Sequence, residues 1–205
     1  TDHRPRVVSF TGGSRAGAAI AAAAGMKRLV MELGGVGVVA VAADADLEQA
    51  ATAIHSGAFW AAGQNCVHAQ RIVVDQSVAG ELAESLVERA RHMHLGPKRD
   101  SRTDMGPVVD IATARRLRQA IDVRLDLGAR LLCGGELAGT SLSPTWLDGL
   151  PSGHPLLDEE LFGPISTIET VDGTDTLLRC VGSASDAINT AVFTSRMDTA
   201  FAVLD

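Results

Sequence analysis

The chain has 205 residues, with 18 Lys and Arg against 25 Asp and Glu, so its formal charge is −7 and it offers no electrostatic handle for nucleic acid. It is 46% hydrophobic yet holds only five Phe, two Trp and no Tyr, which excludes an aromatic core and points to a soluble α/β domain packed with Ala, Val, Leu and Ile. Cys66, Cys133 and Cys180 are odd in number and far apart, which argues against a disulfide framework and a zinc site, and the uncharged apolar run from Val36 to Ala43 is too short to span a bilayer.

Short β-branched runs alternate with amphipathic segments, the pattern of helices packed on a mostly parallel sheet. Val7 to Phe10 reads as a strand ending in a glycine turn, and Ser14 is placed to cap an Ala-rich helix that Gly25 stops. Arg28 to Glu32 is a second strand, closed by Gly34-Gly35, and Val36 to Ala43 a third, apolar enough to be buried on both faces. Asp46 caps a helix whose Leu47, Ala50, Ala51, Ile54 and Ala58 share one face, and Gly63 ends it. Gln64-Asn65-Cys66 then connects to a strand from Gln70 to Asp75, so Cys66 is displayed in a connection instead of packed. Ser77 opens a helix to about His94, Pro97 to Asp110 is a loop, and Ile111 to Leu127 is a helix stopped by Gly128. A strand from Arg130 to Cys133 leads into a Gly/Ser/Pro-rich stretch with one strand near Trp146. Leu157 to Phe162 leads into a strand from Ile165 to Thr170, followed by a helix from Thr174, a strand from Asn189 to Thr194 and a helix after Arg196 that runs to Asp205 without a capping signal. A domain boundary is expected near Gly34 to Gly37.

Several residues are candidates for chemistry, each with an ordinary alternative. Gly12 to Gly17 lies between a strand and a helix, where backbone N–H groups approach a phosphate; its G-G-x-x-x-G spacing equally fits a plain tight turn. Glu32 reads as a ribose-binding acid, as a general base whose partial desolvation raises its pKa, or as a solvated turn carboxylate. Cys66 is a nucleophile candidate by its display in a loop beside two amides, although a lone cysteine is more often a small buried hydrophobe, the reading given to Cys133 and Cys180. Glu160 and Phe162, two apart on an extended segment, point to one side and could hold a ribose hydroxyl and lean on a planar ring; alternatively Phe162 staples the loop into the core. His68, His92 and His94 form no triad with any cysteine.

Four motifs in order, Phe10-Thr-Gly12 with Gly17, Met31-Glu-Leu-Gly-Gly35, Gly63-Gln-Asn-Cys66 and Glu159-Glu-Leu-Phe-Gly-Pro164, resemble those of the NAD(P)-dependent aldehyde dehydrogenase superfamily. The separation of 34 positions between Glu32 and Cys66 is similar to that family's, and so are Asp100 to Pro107, Gly128 to Gly135 and Ala191 to Thr194. The chain departs from the family at Gly13-Ser14, where Ser-Thr is usual, and at Val36-Gly37-Val38, where a lysine, a small polar residue and a proline are usual.

The resemblance implies an α/β fold: residues 1–33 as the last strand and helix of a doubly wound cofactor domain, and residues 34–205 as a catalytic domain with a mostly parallel three-layer sheet. It implies Cys66 as nucleophile and Glu32 as the base that activates hydrolytic water, the two converging on one cleft. Gly12, Gly17 and Leu33 would lie on the cofactor side, Glu160 on the nicotinamide ribose and Phe162 against the nicotinamide. The implied cofactor is NAD or NADP, and the implied partners are a small-molecule aldehyde and further copies of the chain in a cytoplasmic homo-oligomer, with no metal, nucleic acid or membrane. An acylating, coenzyme A-dependent enzyme and a truncated, non-catalytic chain of the same fold are the alternatives, and the isolated 205 residues are expected to be inactive. His68 and Arg71, just after Cys66, raise the idea of an anionic aldehyde as substrate.

Overall fold

The computed structural model describes residues 2–184 and 187–203. The backbone divides into two compact units, Thr1–Gly35 and Val36–Asp205.

In the first unit β1 (Val7–Thr11) and β2 (Arg28–Glu32) pair in parallel, joined through α1 (Ser14–Ala24). The segment therefore carries two strands where the family resemblance implied one. Both strands alternate exposed with half-buried residues, the mark of a sheet with one covered face. Gly13, and not Ser14, occupies the cap of α1, and no side chain bonds to the first turn.

In the second unit every residue of β3 (Gly37–Val41) is buried, and α2 (Leu47–Phe59) follows with the Asp46 carboxylate accepting from the Gln49 N–H at 3.0 Å. The apolar face read from the sequence is the one α2 buries, through Ala50, Ala51, Ile54 and Ala58. Next come β4 (Ala69–Asp75), wholly buried, and α3 (Ala79–Arg91). Ser77 does not open α3; its N–H and hydroxyl both donate to Asp75, closing a turn ahead of the helix. The order continues with α4 (Ile111–Asp126), β5 (Arg130–Cys133), the short β6 (Leu137–Ala138) and β7 (Ser141–Leu142), β8 (Thr145–Asp148), β9 (Ile165–Val171), α5 (Thr174–Gly182), β10 (Thr190–Phe193) and α6 (Met197–Ala202). Leu204 and Asp205, read as the continuation of the last helix, lie outside the described residues.

Six strands form one sheet in the order β10-β3-β4-β9-β8-β5, parallel except for the edge strand β5, which runs antiparallel to β8. The two-residue alternation of β3 and β4 divides the core between the sheet's faces. Val39, Val41, Ile72 and Val74 pack against α2, α3 and α4, whereas Val38, Ala40 and Val73 pack against Leu177, Cys180 and Val181 of α5. This is a three-layer α/β/α arrangement. The atypical Val36-Gly37-Val38 has a local explanation: a Cβ on Gly37 would overlap the His68 carbonyl, and the β3–β4 register shifts at that point.

Candidate functional site

In the first unit, the backbone gathers four of the expected residues at the C-terminal end of the parallel pair, the end at which open α/β sheets bind ligands. Thr11 is in register with Glu32, and the Gly12 N–H donates to the Glu32 carbonyl at 3.0 Å. Gly17 is buried in α1, and a Cβ there would fall 2.6 Å from Leu33 Cδ2, so the missing side chain lets Leu33 lie against the helix. Glu32 is exposed, where the sequence reading expected partial desolvation, because it sits on the open residue set of β2.

In the second unit, α2 stops at Phe59, four residues before the glycine expected to end it. Ala61, Ala62 and Gly63 then take consecutive left-handed conformations, with φ of 54°, 56° and 65°. Two non-glycine residues held there cost about 1–2 kcal/mol each, which the surroundings must offset. Side-chain amides supply part of that support. Gln64 Nε2 donates to the Ala61 carbonyl at 3.1 Å, Gln64 Oε1 accepts the Val109 N–H at 2.9 Å, and Asn65 Nδ2 donates to the Trp60 carbonyl at 3.4 Å. The coil delivers Cys66 to a turn just before β4 with its side chain exposed, as the sequence led us to expect.

The segment carrying Glu160 and Phe162 lies beside that coil. A Cβ on Gly63 would overlap the carbonyl of Gly163, so the two loops touch backbone to backbone. Glu160 is half-buried. Phe162 is 41% exposed with φ of 53°, so the segment is not extended there and the ring does not staple the loop into the core. Leu161, 1% exposed, is the staple. A half-exposed aromatic held out at a strained backbone position is a suitable wall for a flat ring.

His68 and Arg71 lie inside the fold. His68 is buried, with Nε2 3.2 Å from Ser166 Oγ, and burial pushes its pKa down to about 4. Arg71, 1% exposed, donates from Nε to Glu169 at 2.7 Å and from Nη1 to Asp158 at 2.8 Å. Both side chains are buried and engaged by other residues of the fold through one ring nitrogen of His68 and through Nε and Nη1 of Arg71, which argues against the reading that they select an anionic aldehyde. Burial pushes the thiols of Cys133 and Cys180 up, leaving Cys66 as the exposed cysteine.

The sequence reading missed Gln70, Arg116 and Arg124, which grip the segment around Glu160. Arg124 Nη2 donates to the Leu156 carbonyl and to Glu159 Oε2, at 2.9 and 3.1 Å, and Arg116 Nη2 donates to the Leu161 carbonyl at 2.7 Å. A signal was available for Gln70: a polar residue in a strand buried on both faces must have partners.

Among the described residues, no helix is long and apolar enough to cross a membrane. The family model for the aldehyde dehydrogenase family matches residues 1–205. An aldehyde-dehydrogenase-like protein of Sinorhizobium fredii is 37% identical over 195 residues, covering 95% of this chain and 38% of that protein. The crystal structure of glyceraldehyde-3-phosphate dehydrogenase from Methanocaldococcus jannaschii complexed with NADP is similar with a TM-score of 0.95 at 30% identity, covering 99% of this chain and 44% of that one. Betaine aldehyde dehydrogenase from Staphylococcus aureus in complex with NAD+ is similar with a TM-score of 0.90 at 29% identity, covering 97% and 41% of the two chains. The chain thus spans less than half the length of the relatives it matches.

Proposed function

This chain belongs to the aldehyde dehydrogenase family, and from that premise we propose that the protein containing it oxidises an aldehyde to a carboxylate with NAD or NADP, using Cys66 as nucleophile and Glu32 as base. The observation that carries the reading is the backbone contact of Gly63 with Gly163, which sets the loop of the exposed thiol against the loop of Glu160 and Phe162. In this reading the first unit is the end of a cofactor domain and the second a catalytic domain. Free cysteines at positions 66, 133 and 180 suit the reducing interior of a cell, which supports a cytoplasmic location.

The residues present fit a nicotinamide dinucleotide. Gly13 leaves the start of α1 open, Gly12 and Gly17 let Phe10 and Leu33 pack close beside it so that Leu33 supplies apolar surface there, Glu160 provides acceptors for ribose hydroxyls, and Phe162 offers a flat face. When bound, NAD or NADP supplies the acceptor for a hydride. The chain's residues perform the rest. The Cys66 thiolate adds to the aldehyde carbon, forming a C–S bond and a tetrahedral oxyanion that the Cys66 backbone N–H helps to stabilise. Collapse of that adduct, with loss of hydride, leaves a thioester on Cys66. Glu32 then takes a proton from water, the resulting hydroxide adds to the thioester carbon, and the C–S bond breaks to release the carboxylate and restore the thiolate.

Aldehyde-dependent NAD(P)H production by the full-length protein tests the proposal: Cys66→Ser should abolish it, and normal steady-state turnover by that variant would refute it. The carboxylate at position 32 favours water over coenzyme A as acyl acceptor, so the product should be the free acid whether or not coenzyme A is present.

A further inference from the structure

Gln70 is 4% exposed, the fourth residue after Cys66, on the strand that the Cys66 turn leads into. Its amide spans the backbone on either side of Glu160. Nε2 donates to the Glu159 carbonyl at 2.8 Å, and the Leu161 N–H donates to Oε1 at 2.8 Å. A planar amide that satisfies one acceptor and one donor two residues apart fixes the peptide planes between them, and with them the direction in which residue 160 leaves the chain. Both contacts are buried or partly buried, so replacing the amide would leave a carbonyl and an N–H without their partner. Arg116 holds the Leu161 carbonyl from the other side, and Phe162, next in the chain, is in a left-handed conformation that needs such external support.

We propose that Gln70 is a positioning residue for the cofactor: its two-point clamp sets the Glu160 carboxylate and the Phe162 ring against the nicotinamide riboside, and ties that loop to the strand that follows the nucleophile. The inference rests on the reading of Glu160 as a ribose contact, and it assigns a role to a side chain that itself touches neither substrate nor cofactor. Leucine at this position fills similar volume without either hydrogen bond, whereas glutamate keeps the acceptor for Leu161 and, when ionised, loses the donor to Glu159.

The experiment is a steady-state comparison of Gln70→Leu, Gln70→Glu, Glu160→Gln and the double variant Q70L/E160Q in the full-length protein, with thermal unfolding of each. The expected result is a KM for NAD(P) raised about tenfold by Gln70→Leu and less by Gln70→Glu, with the KM for aldehyde changed less than about twofold. The rate at which iodoacetamide alkylates Cys66 without cofactor should be unchanged. Because the clamp acts through Glu160 and its neighbour, the double variant should be little worse than Glu160→Gln alone. If Glu160→Gln raises the KM for NAD(P) and Gln70→Leu does not, the clamp is overturned and the reading of Glu160 stands. If Glu160→Gln leaves that KM unchanged, the ribose reading fails and the clamp falls with it. Should Gln70→Leu not fold, the proposal is decided on Gln70→Glu, where an unchanged KM for NAD(P) overturns it.

Discussion

The two units use the same strand-helix-strand grammar with opposite results. In the first, β1 and β2 leave alternate residues open, Val7 and Val30 being about half exposed, and the single helix α1 supplies the packing. In the second, β3 and β4 are buried along their whole length between helices on both faces. A sheet covered on both sides can hold its loops in conformations that cost energy, and Ala61, Ala62 and Phe162 are held there by Gln64, Gln70, Arg116 and the Gly63–Gly163 contact. In the first unit the contacts around the candidate residues are fewer, the Gly12 N–H on the Glu32 carbonyl and the Leu33 side chain against Gly17. Side-chain precision therefore belongs to the second unit.

The largest effect that could break this contrast is at the nucleophile. Cys66→Ser in the full-length protein should lower turnover at least about a thousandfold, while Cys133→Ser and Cys180→Ser, which alter packed thiols, change it less than about fivefold. Steady-state assays of the three variants decide it; a comparable loss at position 133 or 180 would contradict the contrast between displayed and packed thiols.

Next in size is a pH dependence that originates in the second unit, at His68. His68 is neutral in the fold, with its pKa pushed from 6.5 to about 4 by burial. The unfolded chain takes up a proton as pH falls below 6.5 and the folded chain does not until about 4, so the contribution is complete above that window and lost as pH falls through it. The loss amounts to about 3 kcal/mol in all. Urea unfolding at pH 7 and pH 5 should show a clear drop for the native sequence and a smaller one for His68→Gln.

Two glycines sharpen the comparison further. Gly63→Ala meets both a positive φ and the Gly163 carbonyl, and should cost about 3 kcal/mol. Gly25→Ala, at a similar φ of 62° but with open space where the methyl would go, should cost less, about 2 kcal/mol from its backbone alone. Equal costs at the two positions in denaturant titrations would remove the distinction between a packed and an open turn.

Most of the fold was legible because its strands are long and apolar and its helices carry caps such as Asp46 and stops such as Gly128. The β6–β7 hairpin escaped because two-residue strands have no readable period. The placement of the candidate residues Gly12, Gly17 and Cys66 was legible because a glycine turn and a helix-to-strand connection mark themselves in the sequence. Placement was not legible where long-range contacts decide: the buried strand says that Gln70 needs partners but not that they lie some 90 positions away, and nothing near His68 or Arg71 announces their contacts with Ser166 and Glu169. The alternative that Phe162 staples the loop fails because a left-handed residue inverts the alternation that an extended segment would have.

The proposed roles of Cys66 as nucleophile and Glu32 as hydrolytic base are tested most directly by rapid mixing of the full-length Glu32→Gln variant with aldehyde and NAD(P). The account predicts a burst close to one NAD(P)H per active site, followed by slow turnover, with the acyl group found by mass spectrometry on the peptide containing Cys66. A variant that turns over at the normal rate, or an acyl group on any other residue, would contradict it.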